Sequence, residues 1–556
     1  MMRALVRLLR TTLDPLPPTQ GVLEPGVPAA EPAPVNTYQL DTVRPHFDAA
    51  FYLKSNPDVA AAGVDPVVHF LTIGWRDGRD PTADFDVGHY LLANSDVEAA
   101  GINQFYHYIV AGKDEGRTPN QKHRWRRDAV MTAAPPPRPT VKWRANFVAS
   151  DDARAALKRA TAGAQRIVLS VSHDRYAITP GGVQNCIADE QRQVAAAGDA
   201  HVHVAPEVPL QVLSPATAAD EIGLHLTVDG VSIGSVAARD FRDHLAAEPK
   251  AQGSRLIVHH LLGHSPEVMA TIAAAMQAQT TYWTHDFFSL CESYALLRNN
   301  LAFCSAPPVG STACRICIHG RRRAEHAARI ARFIEETGAE IVAPSKAALD
   351  MLVTGGLSAP RMRVVPHGHI AFSGERPRTE GRLPLKVAFV GLPVTHKGWP
   401  AFVELARACR ASNAYDFVQI GSRRGESADV RYIPISVTPA DRGAMVRALE
   451  DEDIDIVVNW TLCHETFSFV THEAIAAGTF VIVPTWAGHA ARVVAEEEAG
   501  WVAPSLEDLF DAFVGETIVA RYQERRAAGL KTGTFNTGQT DVGEIQRDGV
   551  ERAMGG

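Results

Sequence analysis

From residue 164 onwards, short apolar runs alternate with longer stretches of helical character. Apolar runs of roughly four to eight residues bounded by charges or turn residues are typical of buried parallel strands. Such runs lie at 166–172, 255–260, 340–344, 363–368, 386–391, 415–421, 454–460 and 479–484. The alternation predicts an α/β fold built from two Rossmann-like, doubly wound domains.

Polar stretches rich in proline and glycine divide the chain into segments. Residues 373–384 form such a stretch and are predicted to link the two α/β domains. The segment beyond about residue 530 is rich in Gly and Thr, and we expect it to be disordered. The predicted segments are a tail and Pro-rich linker at 1–44, helical repeats at 45–120, a basic and Pro-rich linker at 121–163, α/β domains at 164–372 and 385–515, and a C-terminal helix and tail at 516–556.

An internal repeat precedes the α/β domains. Its two copies are offset by 38 positions, and a fixed period indicates one structural unit used twice. Each copy is predicted to form two short helices, the second starting at an Asx cap, Asp65 or Asn103. Asp58 and Asp96 are interpreted as further helix caps rather than cation ligands. The repeats therefore predict a small all-α module before the α/β domains.

Composition excludes several classes of protein. A net charge of −8 gives no sign of a nucleic-acid partner, and seven cysteines in 556 residues do not make a disulfide scaffold. No run of about 18 apolar residues is present, so no transmembrane helix is predicted. Basic clusters at 3–10 and 122–127 are either solvated or bind an anionic membrane surface. We expect a cytoplasmic protein, with peripheral contact at the inner face of the membrane as the second alternative.

The stretch 463–489 holds the clearest candidate site. Glu465 falls in the loop after the apolar run 454–460, where open α/β sheets bind ligands, and Glu473 follows eight positions later on a helix. That helix is predicted to start near Thr466 to Ser468, so that its free N–H groups can face a phosphate. The alternative is that both acids are solvated or serve as helix-end charges.

This segment resembles the donor-binding signature of the family 4 glycosyltransferases of the GT-B fold. The family pattern is Glu, any residue, Phe-Gly, four more residues and Glu-Ala, with a later Gly-Thr or Gly-Pro before a strand. The residues that match are Glu465, Phe467, Glu473, Ala474, Gly478 and Thr479, and Ser468 replaces the usual glycine. Ser468 keeps the backbone N–H that an anion requires.

Other segments match the same family. Gly181 and Gly182 correspond to its glycine loop under the donor diphosphate, and His285-Asp286 corresponds to its histidine segment, where the histidine contacts the donor sugar. Gly391, Lys397 and Gly398 match the pattern Gly-Arg, about five residues, Lys-Gly, but Leu392 stands at the arginine position. Arg423 and Arg424 either compensate for that arginine or form a solvated turn.

The resemblance implies a retaining, metal-independent hexosyltransferase that uses a UDP- or GDP-sugar and no cofactor. It assigns residues 164–372 to the acceptor and 385–515 to the donor. Lys397 and the N–H groups of Phe467 and Ser468 would meet the leaving diphosphate, Glu473 the ribose, and Glu465 and His285 the donor sugar.

The repeats resemble those attached to bacterial surface-polysaccharide enzymes, a resemblance that gives no chemistry. We interpret them as a module that binds a protein partner or positions the acceptor, and we expect the acceptor of the transferase to be a glycan or a lipid-linked molecule.

Two other functions stay open. A degenerate transferase domain could serve as a non-catalytic glycan-binding or scaffold protein. Another GT-B enzyme, such as a nucleotide-sugar epimerase, shares the fold, and fold alone does not decide function.

Four cysteines raise a separate hypothesis. Cys314 and Cys317 form a C-x-x-C, and Cys291 and Cys304 precede them at irregular spacing. Four thiols are the ligand count of a structural zinc site. The alternative is a surface insertion with unligated cysteines.

Overall fold

The computed structural model describes residues 37–120, 125–126, 129, 133–137, 147–179, 181–215, 222–376, 383–438 and 440–538. The chain divides into two compact units, Met1–Arg124 and Trp125–Gly556. The basic N-terminal cluster and the residues after Gly538 lie outside the described ranges. Within those ranges, no helix combines the length and the apolar character needed to cross a membrane.

The described part of the first unit, residues 37–120, is helical, as predicted, and the elements of its two copies correspond one to one along the sequence. Its elements are α1 (Thr37–Val43), a 3-10 turn (Arg44–His46), α2 (Ala49–Ser55), α3 (Pro57–Ala62), α4 (Pro66–His69), a π-helical turn (Phe70–Gly74), α5 (Val87–Ala93), α6 (Ser95–Ala100), α7 (Gln104–His107) and a second π-helical turn (Tyr108–Gly112). The first predicted helix of each copy is in fact two helices. The break falls at Asn56 and Asn94, which have non-helical backbone angles and donate a side-chain hydrogen bond back to Tyr52 and Tyr90.

The caps of these helices differ in part from the prediction. Asp65 and Asn103 do cap α4 and α7, accepting from backbone N–H groups. The interpretation of Asp58 as a cap is wrong, because Asp58 lies inside the first turn of α3 and its Oδ2 is 2.8 Å from Nη1 of Arg79. Asp96 forms the corresponding pair with Arg117 at 2.7 Å. Each ion pair therefore links the C-terminal end of one copy to a helix near the start of the same copy.

The first lobe of the second unit, residues 147–364, is built on an eight-stranded sheet. The strand order is β10-β9-β6-β5-β1-β2-β3-β4, parallel except for the antiparallel pairs β2–β3 and β3–β4. Its elements are α8 (Ser150–Ala160), β1 (Ile167–Val171), α9 (Gly182–Ala196), β2 (Ala200–Pro206), β3 (Gly223–Val228), β4 (Val231–Ala237), α10 (Ala238–Ala247), a 3-10 turn (Pro249–Ala251), β5 (Arg255–Val258), α11 (Pro266–Met276), β6 (Gln279–Trp283), β7 (Leu297–Arg298), β8 (Ala302–Phe303), α12 (Thr312–Arg315), α13 (Gly320–Thr337), β9 (Glu340–Ala343), α14 (Lys346–Thr354) and β10 (Met362–Val364).

Both faces of this sheet are covered, which explains why its strands read as continuous apolar runs. Leu169 and Val171 of β1 point into the larger core cluster, whereas Val168 points into a smaller cluster on the opposite face. Leu157 of α8 belongs to the larger cluster, so this helix packs on the lobe although it falls within the predicted linker 121–163.

The second lobe, residues 385–528, is built on a six-stranded, all-parallel sheet of order β14-β13-β12-β15-β16-β17. Its elements are β12 (Leu385–Val390), a 3-10 turn (Thr395–Lys397), α15 (Trp399–Ala408), β13 (Tyr415–Gly421), β14 (Arg431–Pro434), α16 (Ala444–Asp451), β15 (Ile456–Val458), α17 (Phe469–Ala476), β16 (Phe480–Pro484), α18 (His489–Glu496), β17 (Gly500–Ala503), α19 (Leu506–Val514) and α20 (Thr517–Ala528). Val387 and Ala388 of β12 enter core clusters on opposite faces. The two sheets confirm the predicted α/β class.

A two-stranded antiparallel ribbon joins the lobes. It pairs β11 (Gly368–Glu375) with β18 (Lys531–Thr537), in a register that starts at Gly368 and Thr537. The predicted disorder beyond residue 530 is therefore wrong for 531–537, and the predicted linker 373–384 begins as a strand. Phe535 of β18 supplies the reason, because its ring stacks 5.3 Å from His472 on α17.

Candidate functional site

The carboxyl ends of both sheets meet at one cleft of about 880 Å³, which we call the interlobe cleft. His173, His260 and Asp286 line it from the loops that directly follow β1, β5 and β6. His396 lines it from the loop after β12 of the second lobe. This is where the loops of open parallel sheets converge and bind ligands. The residues 134–137 also line the cleft.

Lys397 and Glu465 form an ion pair beside His396. Nζ of Lys397 lies 2.9 Å from Oε1 of Glu465, and the two side chains come from the loops after β12 and β15. The backbone holds Glu465 in place, since its N–H donates to Ala487 and its carbonyl accepts from His489. Gly398 follows Lys397 with φ +85°, and a Cβ there would lie 1.9 Å from the Trp460 carbonyl oxygen. The close approach of the Trp460 carbonyl therefore requires the glycine of the Lys-Gly pair.

Both members of this pair are charged near neutral pH. Burial alone would raise the pKa of Glu465, but the Lys397 ammonium and its hydrogen bond outweigh burial and hold that pKa below its ordinary value. The Lys397 pKa rises to about 12, because the attraction of Glu465 exceeds the cost of burial. The Lys397 side chain stays 42% exposed, and the residue before it, His396, lines the cleft.

The start of α17 presents free backbone donors. Among the described residues, none accepts a hydrogen bond from the N–H groups of Phe467 or Ser468. The Gly182 backbone faces this helix end, since a Cβ on Gly182 would lie 3.4 Å from the Phe469 ring. The Thr466 hydroxyl donates to the His285 carbonyl at 2.6 Å and ties the same turn to the first lobe. Free N–H groups at a helix start are suited to an anionic group.

Ser468 adopts the left-handed conformation, with φ +67° and ψ +85°. This explains the glycine of the family pattern better than the need for a bare N–H does. Its hydroxyl caps α17 by accepting from the Thr471 N–H, and it lies 2.9 Å from the Thr471 hydroxyl. At Ser468 the hydroxyl cap therefore stabilises the helix, whereas the left-handed backbone destabilises the folded protein.

Replacing Ser468 with glycine is expected to raise the free energy of unfolding by about 0.5–1 kcal/mol. A left-handed non-glycine residue costs about 1–2 kcal/mol, whereas a Ser-to-Gly change at a cap costs only a few tenths. Ser468→Ala keeps the strain and loses the cap, so it is expected to lower stability by about 1 kcal/mol. Urea unfolding of both variants measures the difference, and equal losses in the two would contradict this explanation.

Glu473 lies in the second turn of α17 and is 7% exposed. In the described part of the chain, no group donates a hydrogen bond to its carboxylate. Burial raises the pKa of Glu473 to about 7, and the positive charge of Arg442 only partly offsets this. Arg442 itself donates to the Asn185 carbonyl and to Asp189 on α9, each at 2.9 Å. An unsatisfied buried carboxylate at this place can accept hydroxyl groups from a ligand.

The glycine loop before α9 is extended rather than left-handed. Gly181 has φ 166° and ψ 169°, and a Cβ there would lie 2.1 Å from the Gln184 side chain. Gln184 in turn donates to both carboxylate oxygens of Asp174. Gly182 opens α9 and lines the cleft, while Gly181 makes room for the Gln184 side chain.

His285 points into a buried chain of histidines instead of the cleft. Its Nε2 lies 2.9 Å from His259 and its Nδ1 3.1 Å from His367, and His259 continues to Glu190 at 3.0 Å. Burial and these neighbouring rings hold the His285 pKa well below its ordinary value, so the ring is neutral. The predicted contact of His285 with a sugar stays a prediction, and it requires the ring to leave both partners.

The neighbour Asp286 does face the cleft. Its Oδ2 lies 2.9 Å from Nε2 of His260, and its Oδ1 accepts from the Phe288 N–H. Burial would raise the Asp286 pKa, but His260 and this hydrogen bond outweigh burial and lower it. Sequence reasoning missed His173 and His260 as cleft residues. Both could have been found, because His173 directly follows the apolar run 166–172 and His260 ends the run 255–260; their rings lie 4.8 Å apart.

One group of side chains in the described ranges has the spacing of a metal site: Cys186, His285 and His367, whose ligand atoms lie within 4.8 Å of one another. However, Nδ1 of His367 faces Cys186 and Nε2 faces His285, on opposite sides of the ring. One ion cannot use both nitrogens of one imidazole. The group is better described as the end of the histidine chain.

Leu392 occupies the place of the family's arginine and is 49% exposed. The loop of Arg423 and Arg424 packs against the Leu392 loop, since a Cβ on Gly425 would lie 2.8 Å from Cβ of Pro393. Both arginines are exposed. No carboxylate of the described residues pairs with either of them, so both cations are available beside the Leu392 loop.

The chain matches no protein-family model and no curated protein sequence. It is similar to several solved structures. Anabaena HepE in complex with UDP-glucose shares 12% identity over 70% of this chain and 99% of its own, with a TM-score of 0.38. WaaG, a glycosyltransferase involved in lipopolysaccharide biosynthesis, shares 14% identity over 64% of this chain and 93% of its own, with a TM-score of 0.37. The α,α-trehalose-phosphate synthase of Burkholderia xenovorans shares 12% identity over 70% of this chain and 100% of its own, also at 0.37. At this level of similarity, only the residues of the cleft can carry a functional proposal.

Proposed function

We propose that this chain is a retaining, metal-independent glycosyltransferase. It moves a sugar from a UDP- or GDP-sugar to a glycan or lipid-linked acceptor of a cell-surface polysaccharide. The observation that supports this most directly is the Lys397–Glu465 pair, which lies next to His396 on the wall of the interlobe cleft and is followed within three positions of Glu465 by the free N–H groups of Phe467 and Ser468.

The reaction requires fixed positive charge for its leaving group. Breaking the bond at the anomeric carbon gives an oxocarbenium-like transition state and places negative charge on the nucleotide diphosphate. Lys397 and the N–H groups of Phe467 and Ser468 would meet that charge. Each preorganised donor of this kind contributes about 3 kcal/mol to lowering the barrier. Glu465 would exchange its contact with Lys397 for the donor sugar when the diphosphate binds.

The remaining roles follow from position. Glu473, whose carboxylate is buried and unsatisfied, would accept the ribose hydroxyls. Gly182 would allow the diphosphate to approach the backbone of the first lobe. Asp286 lies on the first-lobe wall of the cleft, where His260 holds its carboxylate, and it would orient the acceptor hydroxyl. Closure of the lobes would exclude water from the transfer.

The test is a thermal-shift screen of the full chain with UDP, GDP and their sugars, followed by transfer assays with the donor that binds. A ligand at 100 times its dissociation constant adds about 2.7 kcal/mol of stability. Stabilisation by one nucleotide, with transfer of its sugar to a glycan acceptor, is expected. If no nucleotide stabilises the chain, the proposed donor site does not exist.

The second candidate is a non-catalytic glycan-binding or scaffold protein. Two observations favour this candidate. Leu392 stands in place of the arginine, and both ring nitrogens of His285 are already hydrogen-bonded to other histidines. Nucleotide binding without turnover would select this candidate. A nucleotide-sugar epimerase would instead convert its donor in the absence of any acceptor, which product analysis detects.

Introducing the missing cation should increase activity. Leu392→Arg is expected to raise kcat by about tenfold, less than the 10²–10³-fold effect of a preorganised donor, because the new side chain is not held in place. Val353→Arg adds the same charge at an exposed position on α14 and serves as the control. An unchanged rate for Leu392→Arg would indicate that Arg423 or Arg424 already fills the role.

The proposal includes a cellular location for the reaction and a role for the helical repeats. We place the enzyme in the cytoplasm or peripherally at the inner membrane face, where lipid-linked acceptors are exposed. The helical repeats would bind a protein partner or position the acceptor. Their matching surfaces, each with an Arg–Asp pair, suit a repetitive partner better than a single small ligand.

A further inference from the structure

Four of the seven cysteines line one small cavity that adjoins the interlobe cleft: Cys291, Cys304, Cys314 and Cys317. All seven cysteines lie in the described ranges, and each is a free thiol. The cavity has a volume of about 20 Å³, enough for one water molecule or one metal ion. The four cysteines, which are irregularly spaced in the sequence, thus line the wall of one cavity.

The local structure presents these thiols together. Cys314 and Cys317 lie on one turn, in which the Cys317 N–H donates to the Cys314 carbonyl at 3.0 Å. Gly320 closes the turn so tightly that a Cβ there would lie 1.7 Å from the Cys314 carbonyl oxygen. Cys304 directly follows the β7–β8 hairpin, and its N–H donates to Leu296 at 2.9 Å.

A buried arginine beside these thiols requires a negative partner. Arg323 is 3% exposed, and its guanidinium donates to the carbonyls of Leu290 and Pro307 and to Sγ of Cys314, the last at 2.9 Å. No carboxylate of the described residues pairs with it. A buried cation is costly without an anion, and a neutral thiol is a poor acceptor. Four thiolates around a divalent cation carry a net charge of −2 and would supply that anion.

His319 gives a second indication of a ligand. It is 5% exposed and lines the same cavity, and its Nδ1 is buried with no hydrogen-bond partner among the described residues. With Nε2 donating to Oδ1 of Asn300 at 3.4 Å, Nδ1 of the neutral ring is an acceptor. A buried acceptor without a donor is costly, and a cation bound in the cavity would offset that cost.

We propose that Cys291, Cys304, Cys314 and Cys317 bind one structural Zn²⁺. Tetrahedral coordination by four thiolates is characteristic of zinc, and it leaves no open position for a reacting group. Among the described residues, no three of these sulfurs lie within 4.8 Å of one another, so zinc binding would draw the hairpin and the C-x-x-C turn towards each other.

The metal would shape the wall of the cleft, and this part of the inference rests on the proposed function. Residues between Cys291 and Cys304 line the cleft, among them Tyr294, whose ring lies 6.4 Å from the ring of His396 in the second lobe. The same segment contains several non-glycine residues in the left-handed conformation, including Leu296, Asn299 and Asn300. A zinc site at its base would hold this strained segment in one conformation.

Metal content of the full-length chain tests the site. The protein is purified without chelators from zinc-containing medium and measured by inductively coupled plasma mass spectrometry. About one zinc per chain is expected for the wild type and for Cys409→Ser, which removes a buried cysteine outside the cavity, and well under half for Cys304→Ser and Cys317→Ser. A wild type without zinc, a wild type with iron instead, or Cys variants that retain zinc would each overturn the proposal.

A measurement on the wild type alone covers the case in which the Cys variants do not fold. Thiol alkylation of the native protein, followed by peptide mass spectrometry, is compared before and after treatment with a zinc chelator. Labelling of the four cavity cysteines is expected to increase only after chelation, with Cys409 unchanged as an internal control. Equal labelling before and after chelation would overturn the proposal.

The zinc site and the proposed transferase can fail separately. Zinc content does not depend on any reaction, so one zinc per chain with no transfer would leave the site standing and reject the function. In an active enzyme, chelation is expected to raise the acceptor KM severalfold while stabilisation by the nucleotide is unchanged. Loss of nucleotide binding together with zinc would reject a local effect on the cleft wall.

Discussion

Lys397→Gln is expected to lower kcat for sugar transfer by roughly 10²–10³-fold, the effect of removing one preorganised donor from a developing oxyanion. The Lys397 ammonium lies 2.9 Å from Glu465 and its side chain stays 42% exposed, and the residue before it, His396, lines the cleft. The amide of glutamine keeps much of the side chain's size but carries no charge. Steady-state kinetics with the donor identified by thermal shift measures the change.

The comparison needs a control that loses the same charge elsewhere. Lys346→Gln removes an exposed lysine that pairs with Asp350 on α14, and it should leave kcat unchanged. Glu465→Gln is expected to lower kcat as well, because it removes the proposed contact with the donor sugar. A Lys397→Gln variant that is folded and retains more than about a tenth of wild-type kcat would contradict the role assigned to the ammonium.

Nucleotide affinity is expected to increase about tenfold between pH 6 and pH 8. Burial places the pKa of Glu473 at about 7 in the free protein, and only the ionised carboxylate accepts two ribose hydroxyls. The ionised fraction then rises from about a tenth to about nine-tenths over that range, and apparent affinity follows the competent fraction. Isothermal titration with the preferred nucleoside diphosphate at pH 6, 7 and 8 measures this.

The same residue should make the free protein less stable. Because the folded-state pKa of Glu473 is raised from 4.5 to about 7, the destabilisation is absent below pH 4.5, grows as pH rises and is complete above pH 7. Its upper limit is about 3 kcal/mol. Glu473→Gln is therefore expected to unfold at higher denaturant concentration than the wild type at pH 8, with no difference near pH 4.

A matched control separates this effect from a general loss of charge. Glu496→Gln changes an exposed glutamate on α18 that pairs with Arg492, and it should leave both the stability and the pH dependence of binding as in the wild type. Glu473→Gln should bind nucleotide weakly at every pH. If it keeps the tenfold pH dependence, another group must be the one that titrates.

Local patterns in the sequence predicted the α/β class and the position of Glu465 well. An apolar run followed by a polar loop and a helix start is a local signal, and parallel sheets place such loops at one edge. The run 454–460 contains β15, and Glu465 lies in the loop after that strand, 2.9 Å from Lys397. The contact between these residues spans 68 positions, yet it follows from the topology alone.

Features that depend on packing were not predictable in the same way. His285 is a polar residue after a strand, but its orientation is set by His259 and His367, which come from two other segments. The left-handed backbone at Ser468 could not be predicted from the sequence, because serine rarely adopts that conformation. Strand β18 has few apolar residues, and it forms because Phe535 finds ring partners on α17.

The ribbon of β11 and β18 means that the polypeptide passes between the lobes twice. The chain leaves the first lobe after β11, and it returns after β18, where the Gly538 carbonyl accepts a hydrogen bond from Gln193 on α9. Two chain segments paired as a ribbon restrict sliding and twisting of one lobe against the other. They still permit rotation of the lobes about one axis. An engineered opening or closing of the two lobes should therefore be sought at Gly529 and Arg376, the ends of this ribbon, before the walls of the interlobe cleft are altered.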